Sequence, residues 1–159
     1  MPAVAALLAA GGGTRFAGNE HKLLGILRGK PVWEWALHQV QAAGFDHVVI
    51  VTGAVALPWT AHTVVRHNAA WATGQASSVQ VAVAAARELG ASAVTIGLAD
   101  QPFVTAAAWR AVAQAAADCR IVIATYDGTP GPNPVRLAAP VWPLLPTSGD
   151  EGARSLIRD

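Results

Sequence analysis

Short apolar runs alternate along this chain with longer amphipathic stretches. AVAALL (residues 3–8), HVVIV (47–51), TVVRH (63–67), AVTIGL (93–98) and RIVIAT (120–125) have the length and residue types of strands. Between them, PVWEWALHQVQAAG (31–44), SSVQVAVAAARELG (77–90) and AAAWRAVAQAAAD (106–118) read as helices. The strand runs are nearly all apolar rather than alternating, as expected where helices cover both faces of a sheet. The order predicts an α/β fold: one Rossmann-like three-layer domain around a central, mostly parallel sheet.

Local chemistry marks the boundaries. Pro31 suits a first helical turn, and Gly44 and Gly90 sit where helices would end on a left-handed residue. Ser77 with Gln80 has the spacing of a capping box and places a helix start at Ser77. YDGTPGPNP (126–134) is expected to be a long loop. No internal repeat is visible.

Composition narrows the class. A chain of 159 residues suits a single domain, which at this size buries roughly 70% of its unfolded surface. With 53% hydrophobic and 13% charged residues, disorder is excluded. The formal net charge of +1 gives no broad basic surface for nucleic acid, so any anion site must be local. Cys119 is the sole cysteine, which excludes an internal disulfide and points to a reducing compartment. No stretch resembles a signal peptide or a membrane span, and a cytoplasmic protein is expected. His21, His38, His47, His62 and His67 lack metal-ligand spacing. The six tryptophans are expected in cores and subunit contacts, and the Ala and Val content leaves apolar surface for a homo-oligomer.

The sharpest chemical signal is AAGGGTR (9–15), which follows the first strand, with Lys22 beyond it. Glycines there let a ligand approach exposed amides that attract phosphate. Neither familiar phosphate pattern fits: the dinucleotide fingerprint fails at Phe16, and the GxxxxGK loop fails at Asn19. Two readings stand: amides with Arg15 and Lys22 around a phosphate, or a plain glycine turn with solvated cations. Asp100 ends the run AVTIGLAD, where it either faces the crevice at the carboxyl end of a strand or caps the turn before Pro102. In the first case, magnesium bridging Asp100 and nucleotide phosphates would reconcile the two anions.

Taken with NAAWATGQASSV (68–79), LADQPFVT (98–105), NPVRL (133–137) and GDEGARSL (149–156), the LAAGGGTRF…KLL segment (8–24) resembles the MobA-like nucleotidyltransferases. Within them, the resemblance is nearest to the molybdenum cofactor cytidylyltransferases. It implies a nucleotide-diphospho-sugar transferase-like fold, with the backbone of Ala9, Ala10 and Gly11 facing the nucleotide. Gly12, Gly13, Arg15 and Lys22 would surround its phosphates, Asp100 would hold Mg²⁺, and Gly74, Ser77 and Ser78 would lie at the base. Ser77 is equally readable as a helix cap. Ala10, where guanosine-transferring relatives carry a second glycine, leans the donor toward CTP.

The implied reaction is attack of an acceptor phosphate, molybdopterin in first place, on the α-phosphorus of CTP, with Arg15, Lys22 and Asp100 as the catalytic set. A molybdoenzyme is a further implied partner. The chain departs from the pattern in three places. Its Arg15 to Lys22 spacing is longer, Asn133 stands where a histidine is expected, and Asp159 ends it before the segment that supplies a second metal carboxylate. Asp150 and Glu151 are the local acids that could stand in, or else an exposed helix-start pair. Competing readings are transfer to another phosphorylated acceptor and a nucleotide-binding protein without turnover.

Overall fold

The computed structural model describes residues 2–10, 26–54, 63–115, 119–126 and 129–149. In chain order the elements are β1 (Val4–Ala9), the short strands β2 (Ile26–Leu27) and β3 (Lys30–Pro31), α1 (Val32–Ala42), β4 (His47–Thr52) and β5 (Val64–His67). They continue with α2 (Gln75–Glu88), β6 (Ala93–Leu98), α3 (Ala106–Ala113), β7 (Ile121–Tyr126) and β8 (Thr129–Ala138). Short 3₁₀ segments cover Trp71–Thr73 and Ala139–Leu144.

Six strands form the main sheet in the order β5-β4-β1-β6-β8-β7, and β2 pairs with β3 as a separate hairpin. Strands β5, β4, β1 and β6 are parallel, and β8 runs antiparallel to both β6 and β7. The α/β, mostly parallel arrangement expected from the hydrophobic pattern is the one observed, of the nucleotide-diphospho-sugar transferase-like type.

Strand β1 is buried along its whole length because it feeds two cores. Ala5, Leu7 and Ala9 pack with Trp33, Leu37 and Val40 of α1 and with Trp109 of α3. Val4, Ala6, Leu8 and Ala10 face the other way, toward Val79, Ala82, Val83 and Ala86 of α2. This two-sided burial is why the strand sequences lack alternation. Gly97, the next-to-last residue of β6, serves the first core: a methyl there would lie 2.5 Å from the Trp109 ring.

Gly44 and Gly90 end their helices at φ +86° and +78°, as expected. At Gly90 the closing bonds run from Gly90 N–H to Arg87 O (3.1 Å) and from Ala91 N–H to Ala86 O (3.0 Å), the Schellman pattern. Pro31 stands one residue before α1, at its N-cap.

Two expectations are corrected. Helix α2 starts at Gln75, so Ser77 lies inside its first turn and does not cap it. The amide that a cap would satisfy, Ala76 N–H, donates to the carbonyl of Gly149 (2.9 Å), a partner too remote in sequence to be read from the helix itself. The second concerns residues 126–134, which fall largely within the β7–β8 hairpin, with Tyr126 opposite Thr129 and a register shift between Ile123 and Thr125. Pro130, Pro132 and Pro134 occupy alternate positions of β8. Pro132 and Pro134 fall where the pairing with β7 jumps from Ile123 opposite Val135 to Thr125 opposite Pro130, so their missing donors lie in the irregular stretch of a hairpin whose composition reads as loop.

Candidate functional site

The connection from β1 through α1 leads to β4 on one side of the sheet, whereas the connection from β6 through α3 leads to β7 on the other. The carboxyl ends of β1 and β6 therefore flank the switch point at which open α/β sheets bind ligands. Ala9 and Ala10 end one side of this crevice, and Asp100 stands two residues beyond β6 on the other. The Ala99 N–H donates to Leu8 O (2.9 Å), which extends the β1–β6 ladder to the residue before Asp100. A turn closed by Gln101 N–H to Leu98 O (3.2 Å) then leaves Asp100 partly exposed.

The NAAWATGQASS segment is brought to the same end. Ala54 N–H donates to Ala10 O (3.3 Å), and Asn68 N–H donates to Thr52 O (2.7 Å), so the chain leaving β5 is tied to the end of β4. Gly53 permits the approach: a Cβ there would lie 2.5 Å from Ala10 O, 2.6 Å from the Trp71 Cβ and 2.8 Å from the Ala10 Cβ. Three segments thus meet at one backbone position, and only a residue without a side chain fits.

Gly74 precedes α2 in a conformation (φ +113°, ψ 178°) that L side chains rarely adopt. Ser77 and Ser78 follow it but are buried, and their hydroxyls accept from a single donor group. The Asn68 side-chain amide reaches Ser77 Oγ at 2.8 Å and Ser78 Oγ at 2.9 Å, while its Oδ1 accepts from Ala70 N–H at 2.9 Å. Carbonyls of Gly74 (2.9 Å) and Ala70 (3.1 Å) lie within reach of the Ser77 hydroxyl. This buried node fixes the start of α2 from within. Asn68 and Gly53 were not singled out from the sequence, because their roles depend on partners that only the fold supplies.

Ala9, Ala10, Gly74, Ser77, Ser78 and Asp100 thus all gather around the carboxyl end of the sheet. Gly11, Gly12, Gly13, Arg15 and Lys22 lie outside the described residues, as do Asp150 and Glu151. Among the described residues no group of three His, Cys, Asp or Glu side chains could hold a metal. A single, partly exposed carboxylate suits the donor set of Mg²⁺, which takes one or two carboxylates and completes its shell with substrate phosphates and water. Gln101, next to Asp100, has a buried Oε1 with no hydrogen-bond partner, an unused acceptor at the rim of the crevice.

Elsewhere, Trp33, Trp109 and Trp142 are buried in the cores, as expected for packing residues. Among the described residues, no helix is long and apolar enough to cross a membrane.

The family model of the MobA-like NTP transferase domain matches residues 5–159. Among solved structures, Rv0371c from Mycobacterium tuberculosis superposes with a TM-score of 0.81 at 26% identity, covering 99% of this chain and 82% of that one. The same protein in complex with manganese gives a TM-score of 0.77 at 26% identity, over 100% of this chain and 83% of that one. A nucleotidyl transferase from Methanothermobacter thermautotrophicus gives 0.79 at 25% identity, over 98% of this chain and 80% of that one. A curated relative, the bifunctional protein GlmU of Zymomonas mobilis, is 44% identical over 52 residues, which span 33% of this chain but only 12% of that protein.

Proposed function

This chain belongs to the MobA-like NTP transferase family and is a nucleotidyltransferase, and we propose that it transfers CMP from CTP to the phosphate of a small-molecule acceptor, with molybdopterin cofactor the favoured one. The observation that carries the reading is the meeting of Ala10, Gly53 and Trp71 at the end of β1, across the switch point from Asp100. It closes one side of the crevice beside the end of β1, where open α/β sheets bind ligands, and Asp100 stands on the other side.

In the proposed reaction an acceptor phosphate oxygen attacks the α-phosphorus. As that P–O bond forms, the bond from the α-phosphorus to the β-phosphate oxygen breaks, and pyrophosphate leaves with the electron pair. An ionised phosphate is already a nucleophile, so the protein's task is alignment and charge neutralisation. Asp100 would hold Mg²⁺ together with the nucleotide phosphates, and the ion supplies positive charge to their oxygens when bound. Manganese in the Rv0371c complex supports a divalent metal here. Arg15 and Lys22 are proposed to reach the α- and β-phosphates. Because the Ser77 and Ser78 hydroxyls already accept from Asn68, the base is assigned to the main chain around Gly74. Ala10 in place of glycine supports CTP over GTP.

Equilibrium binding of CTP, GTP and ATP, each with and without Mg²⁺, to the natural chain and to Asp100→Ala tests the reading. Magnesium-dependent CTP binding that Asp100→Ala weakens is expected, with pyrophosphate released once molybdopterin is added. Preference for GTP or ATP overturns the donor assignment, and nucleotide binding without turnover on molybdopterin overturns the acceptor assignment.

A further inference from the structure

We propose that Arg28 and Phe103 form a ledge at the rim of the crevice that holds the acceptor, a phosphate ester carrying a planar unsaturated ring. The inference rests on the nucleotidyl-transfer reading above and names the half of the site which that reading leaves blank.

The two residues come from different segments that the fold brings together. Trp33, in the first turn of α1, packs in the same core as Ala9 and Ala99, which end β1 and follow β6, and the β2–β3 hairpin leads directly into that turn. Phe103 lies three residues beyond Asp100. The Arg28 guanidinium sits 5.8 Å from the Phe103 ring centroid, within cation–π range.

The hairpin is anchored to α1. Trp35 Nε1 donates to Leu27 O (2.6 Å), Lys30 Nζ lies 4.9 Å from the Trp35 ring centroid, and Lys30 Nζ is 3.2 Å from His38 Nδ1. At its tip Arg28 has φ +49° and Gly29 +87°. In this turn asparagine or glycine is the usual first residue, and an arginine bears strain there. Among the described residues Arg28 is the one non-glycine residue with positive φ.

Charge and exposure indicate what the ledge would take. Among the described residues no carboxylate forms an ion pair with Arg28 or Lys30. Phe103 and Ile26 are each 68% exposed, unusual for large apolar side chains. A guanidinium over a ring keeps its in-plane N–H donors for phosphate oxygens, and the phenyl and Ile26 offer apolar area to a flat ring. The acceptor in nucleotidyl transfer must bring a phosphate, and the Arg28 guanidinium, without an ion pair among the described residues, would meet it beside the loop that carries Asp100 and Phe103.

The test measures binding of 1-naphthyl phosphate, cyclohexyl phosphate and inorganic phosphate by calorimetry, in parallel with CTP and Mg²⁺, to the natural chain, Arg28→Ala, Phe103→Ala and Phe103→Tyr. The expected result is that 1-naphthyl phosphate binds more tightly than the other two probes. Arg28→Ala and Phe103→Ala should each weaken it about three- to tenfold, Phe103→Tyr should restore it, and CTP affinity should stay within about twofold throughout. Equal naphthyl phosphate affinity in all four proteins, or none in a chain that binds CTP, overturns the ledge and leaves the nucleotide reading intact. Loss of naphthyl phosphate and CTP together in the two alanine variants also overturns it. Ledge-dependent naphthyl phosphate binding by a chain that binds no nucleotide supports the ledge and sinks the nucleotide reading.

Discussion

The side-chain amide of Asn68 donates to the Ser78 hydroxyl at 2.9 Å in a pocket where both residues are 3% exposed, joining the end of β5 to the first turn of α2. The same amide serves Ser77, so its removal orphans several buried polar groups at once. Asn68→Ala is expected to lower stability by about 1–3 kcal/mol, the cost of unsatisfied buried hydrogen-bonding groups. Ser78→Ala, which removes one acceptor, should cost less. Urea denaturation of both variants checks the order, and equal losses would contradict the hub described here.

Gly53→Ala is expected to push Trp71 away from the end of β1, since a methyl there overlaps the Ala10 carbonyl and the Trp71 Cβ. Backbone at Ala10 cannot yield as a flexible side chain would. The predicted signature is a changed Trp71 fluorescence together with weakened nucleotide binding, read against Trp71→Phe as the control for emission from the other tryptophans.

Gly97→Ala should strike a different place. Its methyl meets the Trp109 indole at 2.5 Å in the core shared by α1 and α3, far into β6. Overpacking of this kind costs about 1–3 kcal/mol. Pairing it with Trp109→Leu should recover part of the loss in thermal unfolding, because the two changes act on one volume.

Asp100→Asn keeps the shape of the side chain and removes its charge. The expected outcome is nucleotide affinity that no longer responds to Mg²⁺ and turnover lower by about 10²-fold or more. A variant that keeps its magnesium response would remove Asp100 from the metal.

The Arg66–Glu88 ion pair offers a contrasting case. At 3.3 Å, with the two side chains 45% and 64% exposed, it is expected to contribute at most about 0.5 kcal/mol, so Glu88→Gln should leave the urea midpoint nearly unchanged.

The framework was legible in the sequence for a physical reason: strands covered on both faces must be apolar throughout, and left-handed helix ends select Gly44 and Gly90. Asp100 could be singled out because a carboxylate ending an apolar run is conspicuous. What stayed hidden depends on contacts between distant segments. Nothing in QASS announces that Gly149 supplies the carbonyl for Ala76, so the sequence alone points to Ser77 as the cap. Prolines disguised β8, because composition does not reveal that Pro132 and Pro134 fall where its pairing with β7 is irregular. The Arg28–Phe103 pair joins two segments that separately look like turns.

The Gly149 bridge bears on how this protein is made. Its N–H donates to Thr73 O (2.9 Å) while its carbonyl receives Ala76 N–H (2.9 Å). Every parallel strand of the sheet ends by Leu98, so on a translating ribosome the whole parallel half can emerge and pair well before Gly149 leaves the exit tunnel. The partner of the Ala76 N–H arrives only with it. The nascent chain therefore meets this latch last, and a product released before Gly149 would lack the groups that bond the Ala76 N–H and the Thr73 carbonyl beside the start of α2.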